Sequence, residues 1–211
     1  VWDKDGIESS WSQPAYWITG LLPGSGWQAS WISAEGAEKY ALAYSSARTD
    51  FYRYRAEYAT PHPDLPKPGD LNYSSMLVEK DVTLKNKLRS AYIHISGLGL
   101  YELSINGKKV GNDKLTPGWT EYRKTVLYDT YDVTSLLQSG NNTLSVLLAN
   151  GMYNIQLDME RYVKFLNTFG PLKVIAQLHL EYADGRKETI GTDQSWRVAP
   201  GPITYSHIFG G

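Results

Sequence analysis

The chain of 211 residues contains no cysteine, which excludes a disulfide framework, a thiolate nucleophile and a thiolate zinc site. It also lacks any apolar run that approaches the length of a membrane-spanning helix, which is about 20 residues. Its net charge is −1, from 21 basic and 22 acidic side chains, so no strong field attracts nucleic acid or an anionic membrane. We expect neither as a partner.

Motifs of catalysis and of nucleotide binding are also missing. The sequence has no Gly-x-Ser-x-Gly elbow, no His-Glu-x-x-His, no Walker loop and no calcium-hand loop. Gly97-Leu98-Gly99 has the form Gly-x-Gly, but no helical pattern follows it, so we interpret it as a bend between strands. The four histidines are far apart in the sequence and lack the spacing of metal ligands.

Short strand-like segments take the place of helical periodicity. Tyr101, Leu103 and Ile105 alternate with polar residues, which predicts a strand with one buried face. Asn106-Gly107 follows and predicts a type I′ hairpin turn, because both residues tolerate positive φ. Further strands are predicted at 76–84, 90–95, 125–128, 142–148, 174–182 and 187–190.

Many short strands separated by turn residues predict an all-β fold, an antiparallel two-sheet β-sandwich of the jelly-roll kind. The exception is Val133–Leu137, which suggests a short helical turn with Thr134 as its cap. Trp27 and Trp31 are predicted to attach the first part of the chain to the sandwich by burying aromatic surface.

Several motifs in a fixed order resemble one protein family. The run 96–111, with Thr116-Pro-Gly-Trp-Thr-Glu-Tyr122, Tyr131–Leu137 and Leu144–Tyr153, resembles the N-terminal accessory β-sandwich of bacterial α-L-rhamnosidases, a galactose-binding-like fold. The resemblance extends from about Met76 to Gly211. The head of the chain resembles the end of a preceding fibronectin-like module. We therefore predict two parts, a module end with linker at 1–32 and the sandwich at 33–211.

The resemblance implies that the chain is a segment of a longer enzyme. In that family the catalytic carboxylates belong to a separate helical barrel domain, and the parent releases terminal α-L-rhamnose by an inverting mechanism. The implied partners are this barrel and a rhamnose-containing glycan, and no catalytic residue is assigned to the segment. A periplasmic or extracellular bacterial location is favoured, although the absence of cysteine does not select a compartment.

Relatives that resemble this domain can bind rhamnose through a calcium ion, which implies loop oxygens as ligands. The acid and amide pair of the family maps onto Asn112 and Asp113, here in reverse order. The second liganding loop maps onto Asn167, and Asn150 is expected at the same rim. The resemblance thus implies Asn112, Asp113 and Asn167 as metal ligands, and all four residues as sugar-binding, with Ca²⁺ as the candidate cofactor.

Two alternatives remain open at the level of sequence. The domain could be purely structural and support the catalytic barrel without touching sugar. It could also be the sugar-binding-like domain of a β-galactosidase-type enzyme, which shares the pattern of strand, Asn-Gly turn and Asp-Val-Thr. Titration with calcium and rhamnose separates the structural alternative from a binding module.

Overall fold

A computed structural model of the protein describes residues 1–15, 17–21, 26–35, 75–155 and 169–208. Asn167, one of the predicted site residues, lies outside them. Among the described residues no helix is long and apolar enough to cross a bilayer. The strands are β1 (Ser75–Leu84), β2 (Leu88–Leu98), β3 (Leu100–Ile105), β4 (Lys108–Lys109), β5 (Asp129–Asp132), β6 (Gly140–Ala149), β7 (Lys173–Tyr182), β8 (Lys187–Gly191) and β9 (Arg197–Pro200).

The strands form two antiparallel sheets. One has five strands in the order β4-β3-β6-β1-β9, and the other has four in the order β5-β2-β7-β8. The chain crosses between the sheets from β1 to β2, from β2 to β3, from β4 to β5 and again after β5, β6 and β8. This arrangement confirms the predicted all-β, two-sheet jelly-roll sandwich.

The core lies between the sheets and is built from alternate residues of each long strand. Ile93 and Ile95 of β2 and Val146 and Leu148 of β6 are all 0% exposed and belong to one apolar cluster. Full burial of a side chain of this size contributes about 1.5–3 kcal/mol each. The alternation of inward apolar and outward polar residues therefore fixes both the register and the faces of the sheets.

The predicted Asn106-Gly107 hairpin is confirmed. Asn106 has φ 53° and Gly107 has φ 75°, the positive values that a type I′ turn requires. Ile105 pairs with Lys108 on either side of the turn. The Asn106 amide donates to Asn142 Oδ1 at 2.9 Å, which ties the turn to β6.

The sequence prediction is wrong at two neighbouring places. The predicted strand at 125–128 is not one, and the strand begins at Asp129 instead. The predicted short turn at Val133–Leu137 is present, closed by a Leu136 N–H to Val133 carbonyl bond of 3.0 Å, but its predicted cap Thr134 is wrong. Its cap is Asp132, which accepts from the Thr134 N–H at 2.9 Å. The Thr134 hydroxyl instead accepts from the Ala91 N–H of β2, so this side chain pairs with the neighbouring strand and does not cap the turn.

Gly99 forms the bend between β2 and β3, as the sequence predicts for Gly97-Leu98-Gly99. Its φ is +147°, and a Cβ there would lie 2.6 Å from the Ala149 carbonyl oxygen and 2.7 Å from Leu172 Cδ2. The close approach of three segments requires glycine. β3 follows the bend directly, as expected for a connection between strands.

Residues 28–32 run along the four-stranded sheet. Gln177 of β7 is 0% exposed, and its Oε1 accepts from the Gln28 N–H at 2.6 Å and the Ala29 N–H at 3.1 Å. Ile32 and Val174 exchange two backbone bonds of 3.0 Å. The segment thus adds backbone pairing to the sheet, and the domain division at residue 32 stays a prediction.

Two histidines lie on the outer face of the same sheet. The rings of His94 and His179 are 5.1 Å apart at 77°, and His94 Nδ1 is 2.8 Å from the Thr130 hydroxyl. Burial lowers the pKa of His94, with His179 as a second cause, and burial also lowers the pKa of His179. Both rings are therefore neutral at pH 7.

Candidate functional site

The loop after β4 carries two of the predicted ligands, Asn112 and Asp113. The Val110 N–H still bonds to the Leu103 carbonyl at 2.8 Å, so the chain leaves the sheet edge only after that point. Gly111 then turns it with φ +71°, and a Cβ there would lie 2.6 Å from Tyr131 Cε1. Asn112 and Asp113 follow as neighbours and both are exposed.

Asp113 is held by the opposite sheet. The Tyr131 hydroxyl of β5 donates to Asp113 Oδ2 at 3.1 Å. Burial is the largest cause that raises the pKa of Tyr131, so the phenol stays protonated and keeps its donor. An exposed loop carboxylate is thereby fixed in position, which is the support that a ligand group needs.

A second carboxylate, Asp129, lies next to Tyr131 through the hydroxyl of Tyr101. The Tyr101 hydroxyl donates to Asp129 Oδ2 at 2.6 Å and lies 3.5 Å from the Tyr131 hydroxyl. Thr116 Oγ1 also donates to Asp129 Oδ2. Burial, with the bond to Asp129, raises the pKa of Tyr101. We name the set Asp113, Thr116, Tyr101, Asp129 and Tyr131 the tyrosine–aspartate cluster.

Sequence reasoning missed this cluster, although one signal was present. Tyr101 falls on the buried face of its strand in the period-two pattern, and a buried tyrosine hydroxyl needs a partner. Asp129 is the acid at the start of the strand that pairs with β2, opposite Ile95. The pattern could therefore have suggested a buried tyrosine–carboxylate contact, but not its link to Asp113.

Asn150 lies against the C-terminal segment. It is 2% exposed, and its Nδ2 donates to the Ser206 carbonyl at 3.2 Å. Ser206 Oγ donates back to the Asn150 carbonyl at 3.4 Å. The structure thus brings Asn112 and Asp113 together in one loop and places Asn150 in a buried contact with a different segment, while the position of Asn167 is outside the described residues.

Aromatic rings join the loop before β5 to the loop before β7. Tyr122 makes edge contacts with Tyr153 at 5.3 Å and Phe169 at 5.6 Å, and Tyr153 stacks on Phe169 at 5.8 Å. Arg123 lies 5.7 Å from the centre of the Phe169 ring. This packing holds the two loops to each other at one end of the sandwich.

The donor chemistry of the Asn112–Asp113 loop fits a calcium ion in kind, because carboxylate and amide oxygens are the ligands that Ca²⁺ prefers. Among the described residues no group of three or more His, Cys, Asp or Glu side chains could hold a metal ion. A cation at this loop would thus depend on Asp113 together with amide and carbonyl oxygens.

Comparison with known proteins places the sequence in one group. The family model described as "Alpha-L-rhamnosidase N-terminal domain" matches residues 86–211. An α-L-rhamnosidase of Formosa agariphila is 36% identical over the whole of this chain and 21% of its own length. One of Streptomyces avermitilis is 42% identical over 59% of this chain and 12% of its own length. The chain spans about a fifth or less of the curated relatives it matches.

Solved structures agree with this result. The α-L-rhamnosidase of "Dictyoglumus thermophilum" has a TM-score of 0.64 and 32% identity, covering 98% of this chain and 20% of its own. That of Streptomyces avermitilis, solved in complex with L-rhamnose, has a TM-score of 0.57 and 39% identity over 65% of this chain and 13% of its own. The sandwich therefore has the architecture found in those enzymes.

Proposed function

The chain belongs to the α-L-rhamnosidase N-terminal domain family, and from this membership we propose that it is a non-catalytic accessory domain that binds L-rhamnose-containing glycan through a calcium ion. The observation that carries the proposal is Asp113, an exposed loop acid whose Oδ2 is fixed by the Tyr131 hydroxyl. Asn112 and Asp113 are the primary ligands in this proposal. Asn150 and Asn167 are the further candidates.

The chemistry of such a site follows from hard-oxygen coordination. A calcium ion takes six to eight oxygen ligands, and a loop that provides only some of them leaves positions for the vicinal hydroxyls of a sugar. Tyr131 would orient the Asp113 carboxylate, as outer-sphere partners of metal ligands do. The role of this chain is to bind and orient, and hydrolysis belongs to other parts of the parent protein.

We propose further that the parent is an α-L-rhamnosidase that releases terminal α-L-rhamnose with inversion. That reaction needs a carboxylic acid that protonates the oxygen of the glycosidic bond. It also needs a carboxylate on the opposite face of the sugar that activates a water molecule. In this proposal the pair lies in a helical barrel domain that the accessory domain adjoins. The 211-residue chain alone is then expected to leave p-nitrophenyl α-L-rhamnopyranoside uncleaved.

Isothermal titration of the chain with L-rhamnose tests the proposal, first with Ca²⁺ and then with excess EGTA. We expect a component of the binding heat that requires Ca²⁺, which the chelator removes and Asp113→Ala abolishes. Asp184→Ala is the matched control, because Asp184 is an exposed turn acid between β7 and β8. Rhamnose binding that EGTA leaves unchanged, or that Asp113→Ala leaves unchanged, contradicts the calcium site. Absence of binding to L-rhamnose and to rhamnosylated oligosaccharides contradicts the sugar-binding role altogether.

A purely structural role is the second candidate, and the contacts of Asn150 favour it. A side chain expected at a sugar rim is buried and bonded to the Ser206 backbone. Ser75 Oγ likewise donates to the Ile203 carbonyl at 2.9 Å, so the C-terminal segment is fixed along the sandwich. In that case the domain provides a rigid support for the segment that follows it.

A further inference from the structure

A cleft of about 840 Å³ lies between the segment at 31–35 and the turn before β9. Trp31 lines it and is 40% exposed, whereas Trp196 lines it and is 7% exposed. Ile32 and Val198 add aliphatic surface. The cleft therefore combines an accessible indole with an apolar base, and its volume falls in the range of small-molecule sites.

Hydrogen bonds to the four-stranded sheet hold the backbone beside Trp31 and the indole of Trp196. The Ile32 N–H bonds to the Val174 carbonyl and the Val174 N–H to the Ile32 carbonyl, each at 3.0 Å, which fixes the residue next to Trp31 on β7. The Trp196 indole donates to the Gly191 carbonyl at 3.0 Å. The sheet thus fixes the backbone beside Trp31 and the position of the Trp196 indole.

Polar side chains lie on the rim of the same cleft: Glu35, Asp193 and Gln194. Asp193 Oδ1 accepts from the Ser195 N–H at 2.8 Å. This interaction with Ser195, through its hydroxyl first and its N–H second, lowers the pKa of Asp193, so the carboxylate is charged at neutral pH. One cation lies nearby, because Lys80 Nζ donates to Ser195 Oγ at 2.5 Å.

We propose that this cleft binds a neutral pyranose residue of a glycan, with the C–H face of the ring against Trp31 and its hydroxyls hydrogen-bonded to Asp193, Gln194 and Glu35. An indole packs well on an apolar ring face, and carboxylates accept strong hydrogen bonds from hydroxyl donors. The carboxylates of Glu35 and Asp193 outweigh the Lys80 ammonium beside them and disfavour an anionic sugar, since like charges in a partly desolvated cleft repel. The class is therefore neutral and not uronic or sulfated.

The cleft is separate from the Asn112–Asp113 loop. β4, which precedes that loop, is at one edge of the five-stranded sheet, and β9, which follows the cleft turn, is at the other. Binding in the cleft requires no metal ion, so it does not rest on the proposed calcium site. Two sugar sites on opposite edges would let one glycan or two branches engage the domain with higher avidity.

The test is titration of the full chain in excess EGTA with methyl α-L-rhamnopyranoside, methyl β-D-galactopyranoside and anionic D-galacturonate. We expect a neutral glycoside to bind and galacturonate to bind more weakly. Trp31→Ala should weaken neutral binding by about tenfold, the effect of losing one aromatic contact with its buried area. Trp31→Leu keeps apolar bulk and should also weaken it, while Trp17→Ala, at a tryptophan 86% exposed outside the cleft, should not.

A double variant tests the role of the two carboxylates. The double substitution Glu35→Gln and Asp193→Asn keeps the hydrogen-bonding groups and should remove most of the discrimination against galacturonate. Failure of both neutral glycosides to bind at millimolar concentration overturns the proposal, as does binding that both Trp31 variants leave unchanged. Because EGTA is present throughout, these outcomes are independent of the calcium-dependent site.

Discussion

The Tyr131 hydroxyl donates a hydrogen bond to Asp113 Oδ2 over 3.1 Å. Tyr131 belongs to β5 of the four-stranded sheet, whereas Asp113 follows β4 at the edge of the five-stranded sheet. The contact therefore joins the two sheets at the loop where a cation is proposed. A loop acid that is already positioned loses less conformational entropy when it binds.

Tyr131→Phe removes this hydroxyl and leaves the ring that packs on Gly111. We expect the calcium affinity of the chain to fall by about tenfold, the lower end of the effect of losing an outer-sphere partner of a metal ligand. Calcium titration calorimetry measures it, with Tyr92→Phe as the matched control on β2. Equal calcium affinity in the wild type and Tyr131→Phe would contradict the role of Tyr131 in positioning the Asp113 carboxylate.

Asn150→Ala removes a buried amide and its bond to the Ser206 carbonyl. Because the Ser206 group loses a partner inside the protein, we expect the free energy of unfolding to fall by about 1–3 kcal/mol. Urea denaturation measures the change, and Asn141→Ala, at an exposed position of β6, is the control. Unchanged stability, with weaker rhamnose binding, would instead assign Asn150 to the sugar site.

Stability should depend on pH through His94 and His179. Their folded pKa values are lowered, so the unfolded chain binds more protons below its own histidine pKa of about 6.5. The two histidines therefore make their whole contribution to the free energy of unfolding above about pH 6.5. This contribution decreases as the pH falls from about 6.5 toward the folded pKa values. His94→Gln and His179→Gln should each flatten the decrease between pH 8 and 5 when Tm is followed. An undiminished slope in the double variant contradicts this assignment.

Gly99→Ala should destabilise the sandwich. The residue has φ +147°, and the added Cβ would meet the Ala149 carbonyl at 2.6 Å, so we expect a loss of about 1–3 kcal/mol. Gly26→Ala is the control, because a Cβ there meets nothing within 4 Å. Chemical denaturation of both variants measures the difference, and equal effects would show that the bend tolerates a side chain.

The fold was largely predictable because its signals are local. Alternation along Tyr101, Leu103 and Ile105 and the Asn106-Gly107 turn act within a few residues, and the structure has the strand and the hairpin there. The failure at 125–128 has a tertiary cause, since strand pairing with β2 begins only where Asp129 meets Ile95. The alternation of apolar and polar residues within one segment does not show which of its residues will pair with another strand.

The candidate sites were less predictable because they join distant segments. The sequence predicted that Trp31 attaches the first residues to the sandwich, yet in the structure its neighbour Ile32 makes the backbone pairing and Trp31 stays 40% exposed beside a cleft. Asp113 could be proposed from its loop, but its partner Tyr131 is 18 residues away along the chain. Only the packing of the two sheets brings them together.

The most direct test of the central claim is an amide chemical-shift map of the ¹⁵N-labelled chain with L-rhamnose and Ca²⁺. We expect shifts at Asn112, Asp113 and Tyr131 that vanish when EGTA is added. Shifts at these three residues that persist in EGTA would contradict calcium-dependent rhamnose binding at this loop, and a spectrum without shifts at them would contradict sugar binding there in any form.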